Sequence, residues 1–273
     1  MAEAFVVAAV QMNSQNDVAA NLDVVRARVA EARAGGASLV VLPENFAFMG
    51  GSDEERRAVA EPIDGGAGPI VSALRGLARE HRVTLVGGGM PEASGDPDRP
   101  HNTCLVVGPT GEVAARYRKI HLFDVEVGDG QTYRESAGVT GGDAVVVAPV
   151  GPFKVGLSVC YDLRFPELYR RLVDGGADVL LVPAAFTLVT GKDHWHVLLR
   201  ARAIESQAYV VAAAQWGRHP KGRTTYGKSL VVDPWGDVIA QAPEGQGVVF
   251  ARLDPARVAD VRASLPSLTH RKL

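Results

Sequence analysis

The sequence predicts an α/β protein whose strands and helices form layers, with more than one β-sheet. Segments typical of strands and of helices alternate from residue 5 onward, which is the order found in α/β layers and not in all-β proteins. About ten or more strands are predicted, and one twisted sheet does not comfortably hold that many. The 273 residues can bury a substantial core, and no linker-like or low-complexity stretch divides them. We therefore expect residues 1–273 to form one domain that contains two sheets.

Apolar periodicity predicts the elements of the first half. Residues 5–11 form an apolar run typical of a strand, and residues 17–33 repeat apolar side chains along one side of a helix that Gly35 and Gly36 end. The other predicted elements are strands at 37–42 and 83–87, a helix at 69–80, and a hairpin of residues 103–107 and 113–117. Two stretches rich in turn residues, 90–102 and 124–143, are predicted to be loops.

Residues 153–171 are the centre of the second half. Residues 155–159 form an unbroken apolar run typical of a buried strand, and a helix is predicted from Phe165 with Pro166 in its first turn. Cys160 therefore lies between a strand end and a helix start. Partial exposure and the positive end of a helix would both favour its thiolate. The alternative is a small core residue, because free cysteine is among the most buried residue types.

The remaining elements continue the alternation. They are predicted strands at 178–182, 209–214 and 248–252, helices at 194–207 and from Pro255, and a hairpin around residues 233–236. The hairpin sequences VVGPTGEVAARY and VVDPWGDVIAQA are similar, which indicates two similar sheets without amounting to a repeat.

Composition and charge indicate a protein that acts on a small molecule. Lys and Arg number 29 against 31 Asp and Glu, and no long basic run occurs, so neither nucleic acid nor a membrane is expected as a partner. The sequence predicts no secretory signal, no membrane-spanning stretch and, with only Cys104 and Cys160, no disulfide framework. We expect a cytoplasmic protein in which Cys104 belongs to the core.

Three charged residues occupy places where catalytic groups occur. Glu44 follows an apolar strand that Pro43 ends, so partial desolvation would raise the pKa of its carboxyl group towards that of a general base. Lys119 ends a predicted strand and shares a strand face with Tyr117. Glu135 lies in the second long polar loop. Each of the three, taken alone, is more often a solvated surface residue.

Three segments resemble, in order, the signature segments of the nitrilase superfamily of carbon–nitrogen hydrolases. They are Leu42-Pro43-Glu44-Asn45, Tyr117-Arg118-Lys119-Ile120-His121-Leu122-Phe123-Asp124 and Cys160-Tyr161-Asp162-Leu163-Arg164-Phe165-Pro166-Glu167-Leu168. The similarity extends across essentially the whole chain, and three ordered motifs are far more specific than one residue. The resemblance implies a four-layer α-β-β-α sandwich with two mixed sheets, whose subunits typically pair into a homodimer.

The resemblance also implies roles for the charged residues. Cys160 would be the nucleophile and Glu44 the base of an amidase that forms a thioester. Lys119 and the backbone N–H of Tyr161 would stabilise the oxyanion, because fixed donors lower the energy of the tetrahedral state. Glu135 resembles the family's second glutamate, which holds the lysine. No cofactor is implied.

The C-terminal third bears on the substrate. Residues 214–219, 226–229, 232–236 and 265–271 resemble the deaminated glutathione amidase branch of the family, whereas residues 121–124 are closer to the omega-amidases. Both branches cleave a 2-oxoglutaramyl amide, with Cys-Gly or ammonia as the leaving group. Such substrates are anionic, and Arg164, Arg218 and Arg223 are candidates to bind a substrate carboxylate. Each is equally compatible with a surface or structural arginine.

Other functions fit the sequence less well. His194 and His196 are two residues apart on a predicted helix and do not face one ligand, so no metal site is expected. A Cys-His dyad with His121 or His219 would leave the charged residues without roles. A non-catalytic binding or assembly relative would be favoured if the motif residues were replaced, and they are not. An acyltransferase would use the same thioester, but relatives of that kind usually carry membrane segments.

Overall fold

The computed structural model describes residues 5–65, 68–126, 128 and 132–272, and the remaining residues of the predicted loop at 124–143 lie outside it. In the first half the elements are β1 (Phe5–Gln11), α1 (Val18–Ala34), β2 (Leu39–Val41), α2 (Asp53–Ala58), α3 (Pro69–His81), β3 (Thr84–Glu92), β4 (His101–Val107), β5 (Val113–Arg118), β6 (Asp124–Glu126), β7 (Thr132–Arg134) and α4 (Glu135–Gly138). In the second half they are β8 (Val147–Val150), β9 (Phe153–Leu157), α5 (Pro166–Asp174), β10 (Val179–Leu181), α6 (Leu188–Ser206), β11 (Tyr209–Ala212), β12 (Trp216–Arg218), β13 (Thr224–Tyr226), β14 (Leu230–Val232), β15 (Val238–Gln241), β16 (Gly247–Leu253) and α7 (Pro255–Ser264).

Two six-stranded mixed sheets share one plan. The first orders its strands β16-β1-β2-β3-β4-β5, and the second β15-β14-β11-β10-β9-β8. In each sheet three central strands run parallel, namely β1, β2 and β3 or β9, β10 and β11. An antiparallel hairpin, β4–β5 or β14–β15, flanks them on one side, and a single antiparallel strand flanks them on the other. The two similar hairpin sequences therefore occupy equivalent places, and the prediction of two sheets is confirmed.

The two faces of the first sheet belong to different cores. Because side chains alternate along a strand, Ala8 and Val10 of β1 join the cluster that holds the buried residues of α1 and α3. Val7 and Ala9 join the cluster that contains the second sheet together with residues of α5 and α6. The order is thus helices, sheet, sheet, helices, which confirms the four-layer α-β-β-α fold.

Several regions depart from the sequence predictions. The predicted loop at 90–102 is strand at both ends, because β3 extends to Glu92 and β4 begins at His101. Residues 124–143 contain the small β6–β7 hairpin and the single turn of α4, where a loop was expected. Helix α2 was not predicted, although it carries a sequence signal. Ser52 caps it by accepting from the Glu55 N–H, and the Glu55 carboxylate accepts from the Ser52 N–H in return, which is the S-x-x-E capping box.

The carboxyl ends of the central strands of both sheets meet at one place. A side chain at Gly88 of β3 would collide with the Leu42 carbonyl oxygen after β2 and with Pro183 after β10, so glycine is required for this approach. Crevices at the carboxyl ends of parallel strands are the usual ligand sites of α/β sheets. Among the described residues, no helix has both the length and the apolar character that crossing a bilayer requires.

Candidate active site

Cys160 stands on a sharp turn between β9 and α5. The chain leaves β9 at Leu157 and enters a 3₁₀ turn, Cys160–Arg164, with the Cys160 backbone in the left-handed region at φ 51°. A non-glycine residue held there stores roughly 1–3 kcal/mol of strain, as functional sites often do. The Cys160 N–H donates to the Pro183 carbonyl oxygen at 2.9 Å, which ties the turn to the end of β10.

Glu44 is buried at the end of β2 and accepts three hydrogen bonds. Its Oε1 accepts from the Lys119 Nζ at 3.0 Å and from the Asn102 Nδ2 at 2.9 Å, and its Oε2 accepts from the Ala185 N–H at 3.0 Å. Only 2% of the residue is exposed. These donors hold the carboxylate in one orientation, and Lys119 is the only cation among the three.

Lys119 lies between two carboxylates. It follows β5, is as buried as Glu44, and donates to the Glu135 Oε2 at 2.8 Å as well as to Glu44. Glu135, in the first turn of α4, also accepts from the Phe123 N–H at 2.7 Å. The structure therefore brings together Glu44, Lys119 and Glu135 from three separate parts of the sequence.

Asn102 is a site residue that the sequence reasoning missed. It lies on β4, and its Nδ2 donates to the Glu44 Oε1 at 2.9 Å and to the Glu135 Oε1 at 3.3 Å. Two N–H groups on one nitrogen thus join the two carboxylates that Lys119 also joins. The only sequence signal is an amide next to the predicted buried strand at 103–107, where a polar side chain needs partners.

The electrostatics follow from this arrangement. Burial alone would lower the pKa of the Lys119 ammonium, but the Glu135 and Glu44 carboxylates more than offset it and raise that pKa above its usual value. Burial would raise the pKa of the Glu135 carboxyl, but the Lys119 charge lowers it overall. The result is one ammonium held charged between carboxylates.

The prediction that Cys160 is partly exposed and readily forms a thiolate is wrong. The residue is only 6% exposed, and burial raises the pKa of its thiol well above the usual value. The nearby Glu44 carboxylate raises the pKa further, and the Lys119 ammonium lowers it only in part. The resting thiol is therefore neutral and needs a base in order to react.

A cavity of about 440 Å³ opens above these groups. Cys160, Glu44, Lys119 and Glu135 all line it. Its other cationic lining residues are Arg56, Arg134, Arg164, Lys221 and Arg223, against one further acidic residue, Asp53. A cavity lined mainly by one sign of charge attracts ligands of the opposite sign. The lining therefore favours an anionic ligand.

Two of the three candidate arginines line the cavity. Arg164 donates to the His194 Nδ1 at 3.2 Å, and its guanidinium lies 5.2 Å from the centre of the Phe186 ring. Arg223 donates to the Ala185 carbonyl oxygen at 3.0 Å. Arg218 does not line the cavity, because β12 directs its side chain into solvent.

The histidines considered as dyad partners are engaged elsewhere, and neither lines the cavity. His219 is buried against the Ser14 carbonyl oxygen and the Thr225 hydroxyl, and burial lowers its pKa to about 4. The Nδ1 of His121 bonds to Asp162. Within the described ranges, no group of three or more His, Cys, Asp and Glu side chains could hold a metal ion.

The sequence matches the family model described as carbon-nitrogen hydrolase over residues 6–263. The chain belongs to the carbon–nitrogen hydrolases. The family and the enzyme class predicted from the three motifs are thereby confirmed.

Named relatives agree with this assignment. The hydrolase is 46% identical over 270 residues, 98% of each chain, to a protein named deaminated glutathione amidase from Synechocystis sp.. It is 42% identical to a human protein of the same name, covering 97% of this chain and 82% of that one. The solved structure of Saccharomyces cerevisiae Nit3, described as a member of branch 10 of the nitrilase superfamily, matches with a TM-score of 0.89 and 33% identity over 98% of this chain and 97% of that one.

Proposed function

We propose that this carbon–nitrogen hydrolase cleaves deaminated glutathione into 2-oxoglutarate and Cys-Gly. The observation that carries the proposal is 46% identity over 98% of both chains to a deaminated glutathione amidase. The cation-lined cavity supports it, because deaminated glutathione carries one carboxylate at each end of the molecule. The buried Cys160 lines this cavity together with the Glu44 and Glu135 carboxylates and the Lys119 ammonium, which supports amide hydrolysis through a thioester.

The first half-reaction starts from the neutral thiol. Glu44 takes the thiol proton as the Cys160 sulfur attacks the amide carbon, and the carbonyl π electrons move to the oxygen. The raised pKa of Cys160 makes this transfer necessary, because few thiolates exist at neutral pH without it. When the tetrahedral state collapses, the C–N bond breaks and Glu44 returns the proton to the departing amine. A thioester remains on Cys160.

The second half-reaction releases the acid. Glu44 removes a proton from a water molecule, whose oxygen attacks the thioester carbon. The C–S bond then breaks, and the sulfur recovers its proton from Glu44, so the enzyme ends as it began. In both halves Lys119 and the Tyr161 N–H stabilise the oxyanion, and a donor of this kind typically contributes about 10² to 10³ in rate.

Glu135 and Asn102 support these steps without exchanging protons with the substrate. Glu135 accepts from the ammonium of Lys119 at 2.8 Å and so holds it in addition to Glu44. Asn102 donates to both carboxylates, at 2.9 Å to Glu44 and 3.3 Å to Glu135, and so holds them in place without adding charge. Lys119 therefore stays fixed while Glu44 gains and loses its proton.

The substrate proposal predicts a preference between two amides. We expect kcat/KM for deaminated glutathione to exceed that for 2-oxoglutaramate by about tenfold or more, a gap of about 1.4 kcal/mol in transition-state binding. Release of 2-oxoglutarate measures both reactions in one assay. The reverse preference would make the enzyme an omega-amidase with the same catalytic groups. Hydrolysis of neither amide would refute the substrate assignment.

Arg164 and Arg223 are proposed to bind the substrate carboxylates. We expect Arg164→Gln and Arg223→Gln each to raise KM by about tenfold with little change in kcat, because a charge-assisted hydrogen bond contributes roughly 1.5–3 kcal/mol. Arg218→Gln is the matched control, since its side chain lies outside the cavity. Unchanged KM values for the first two variants, or an equal rise for Arg218→Gln, would contradict the assignment.

We also propose a homodimer that pairs through α6 and the β14–β15 hairpin. Val197 and Ile204 of α6 are 66% and 46% exposed, and Trp235 and Ile239 of the hairpin are 52% and 44% exposed. Arg200 donates to the Gly236 carbonyl oxygen and joins helix and hairpin into one face. Light scattering is expected to give the mass of two chains, and Val197→Glu to give one. A monomeric unsubstituted protein would refute the pairing.

The proposed location is the cytoplasm. Both cysteines are free and buried, and a thiol nucleophile must remain reduced to act. Cell fractionation is expected to recover the protein with cytosolic markers, and recovery with secreted or membrane fractions would contradict this location.

A further inference from the structure

We propose that Asp162 is a positioning residue that fixes the Lys119 ammonium relative to the Cys160 sulfur. The proposal rests on the catalytic roles given above, but not on the identity of the amide. Asp162 lies two residues after Cys160, in the same 3₁₀ turn, and its side chain is fully buried. A buried carboxylate is costly unless each oxygen is well bonded. Its hydrogen-bond partners therefore show what the charge holds in place.

The carboxylate accepts four hydrogen bonds from two segments. Its Oδ2 accepts from the Val159 N–H at 2.8 Å and from the Tyr117 hydroxyl at 2.7 Å. Its Oδ1 accepts from the His121 N–H at 3.0 Å and bonds the His121 Nδ1 at 2.7 Å. The Tyr117 hydroxyl also accepts from the Ile120 N–H at 3.3 Å, which closes the lysine segment on itself.

The partners of Asp162 are close neighbours of Cys160 and of Lys119 in the sequence. Val159 directly precedes Cys160, so Asp162 and Val159 bracket the nucleophile. Tyr117 and His121 stand two residues before and two residues after Lys119, so they bracket the cation. The Asp162 carboxylate therefore binds residues on both sides of Lys119, and it also binds the residue that precedes Cys160.

The two segments come from different sheets. Lys119 follows β5 of the first sheet, and Cys160 follows β9 of the second. Between the sheets lie apolar side chains, whose contacts are non-directional. Hydrogen bonds to a charged group are directional and about twice as strong as neutral ones. Asp162 supplies a directional link between the lysine segment and the cysteine turn, which apolar contacts cannot supply.

The expected consequence is catalytic and concerns placement. A misplacement of about 1 Å at a catalytic group can cost about 10² in rate. Loosening the link moves Lys119 away from the oxyanion and from the thiolate, whereas Arg223 lies on a separate segment, between β12 and β13. We therefore expect kcat to fall and KM to change little when the link is weakened.

Tyr117→Phe tests the link with a minimal change, and Tyr169→Phe is its matched control. Both tyrosines are fully buried, and each hydroxyl makes a hydrogen bond near the end of β9. The Tyr169 hydroxyl, however, bonds Ser158 and does not touch the lysine segment. We expect similar losses in Tm for the two variants, with kcat reduced about tenfold or more for Tyr117→Phe alone. Equal kcat values for the two variants would overturn the proposal.

A second readout is independent of the substrate. The ammonium of Lys119 lowers the pKa of the Cys160 thiol, so its displacement should raise that pKa. The rate of alkylation by iodoacetamide against pH is expected to shift to higher pH in Tyr117→Phe, which changes no charge, and to stay unshifted in Tyr169→Phe. An unshifted profile in folded Tyr117→Phe refutes the positioning role, even if the amide assigned above proves wrong.

Discussion

Replacing Cys160 with alanine is expected to lower kcat/KM for amide hydrolysis by about 10⁴-fold or more. The reason is that the sulfur forms the bond to the amide carbon, and removing a nucleophile leaves only the contribution of binding and of the oxyanion donors. The other cysteine of the chain, Cys104, does not line the cavity. Release of 2-oxoglutarate measures the rate, and mass spectrometry of the quenched enzyme tests for the acyl adduct.

Cys104→Ala is the matched control for this experiment. Cys104 is fully buried between the sheets, and burial raises the pKa of its thiol to about 12, so it is inert. Its replacement should cost stability, because a core atom is lost, and should leave kcat unchanged. Activity of Cys160→Ala within tenfold of the unsubstituted enzyme would rule out the thioester route.

The sequence could single out Cys160, Glu44 and Lys119 as candidates, because they lie in three ordered segments that resemble those of one family. It could not show that their side chains meet. The distances of 3.0 Å and 2.8 Å around Lys119 depend on the order of the strands within the first sheet, and the approach of Cys160 depends on packing the second sheet against the first. Strand counts predicted two sheets, whereas the order of the four layers came from the family resemblance.

The ionisation of Cys160 shows where local reasoning fails. A thiol before a helix suggests an exposed thiolate, but a 3₁₀ turn separates Cys160 from α5, and the residue is only 6% exposed. Burial then outweighs the nearby helix. Asn102 was missed for a related reason. Its role depends on two carboxylates that are 58 and 33 residues away in the sequence, and no local pattern brings them to one nitrogen.

Replacing Lys119 with methionine is expected to lower kcat by about 10² to 10³, as the loss of one oxyanion donor usually does. The same change removes the cation that lowers the pKa of Cys160, so alkylation of the thiol should move to higher pH. Pre-steady-state release of Cys-Gly separates slow acylation from slow thioester hydrolysis. A variant with unchanged kcat would exclude Lys119 from the oxyanion site.

The free energy of unfolding distinguishes an oxyanion-stabilising role of Lys119 from a structural one. The substitution Lys119→Met leaves Glu44 and Glu135 buried without their cation. Breaking such a buried pair costs about 3–5 kcal/mol. Without the ammonium the Phe123 N–H and the Arg56 charge still lower the pKa of the Glu135 carboxyl, and we expect burial, the largest influence, to raise it above the value in the unfolded chain. A raised pKa gives stability at low pH that is lost as the pH rises, so the variant should be relatively more stable near pH 5 than near pH 8.

Adding Glu135→Gln to Lys119→Met removes one of the two buried charges and should restore much of the stability, measured by denaturant unfolding. It cannot restore kcat, because the oxyanion still lacks its cation. Recovery of both stability and kcat in the double variant would make Lys119 a structural ion only.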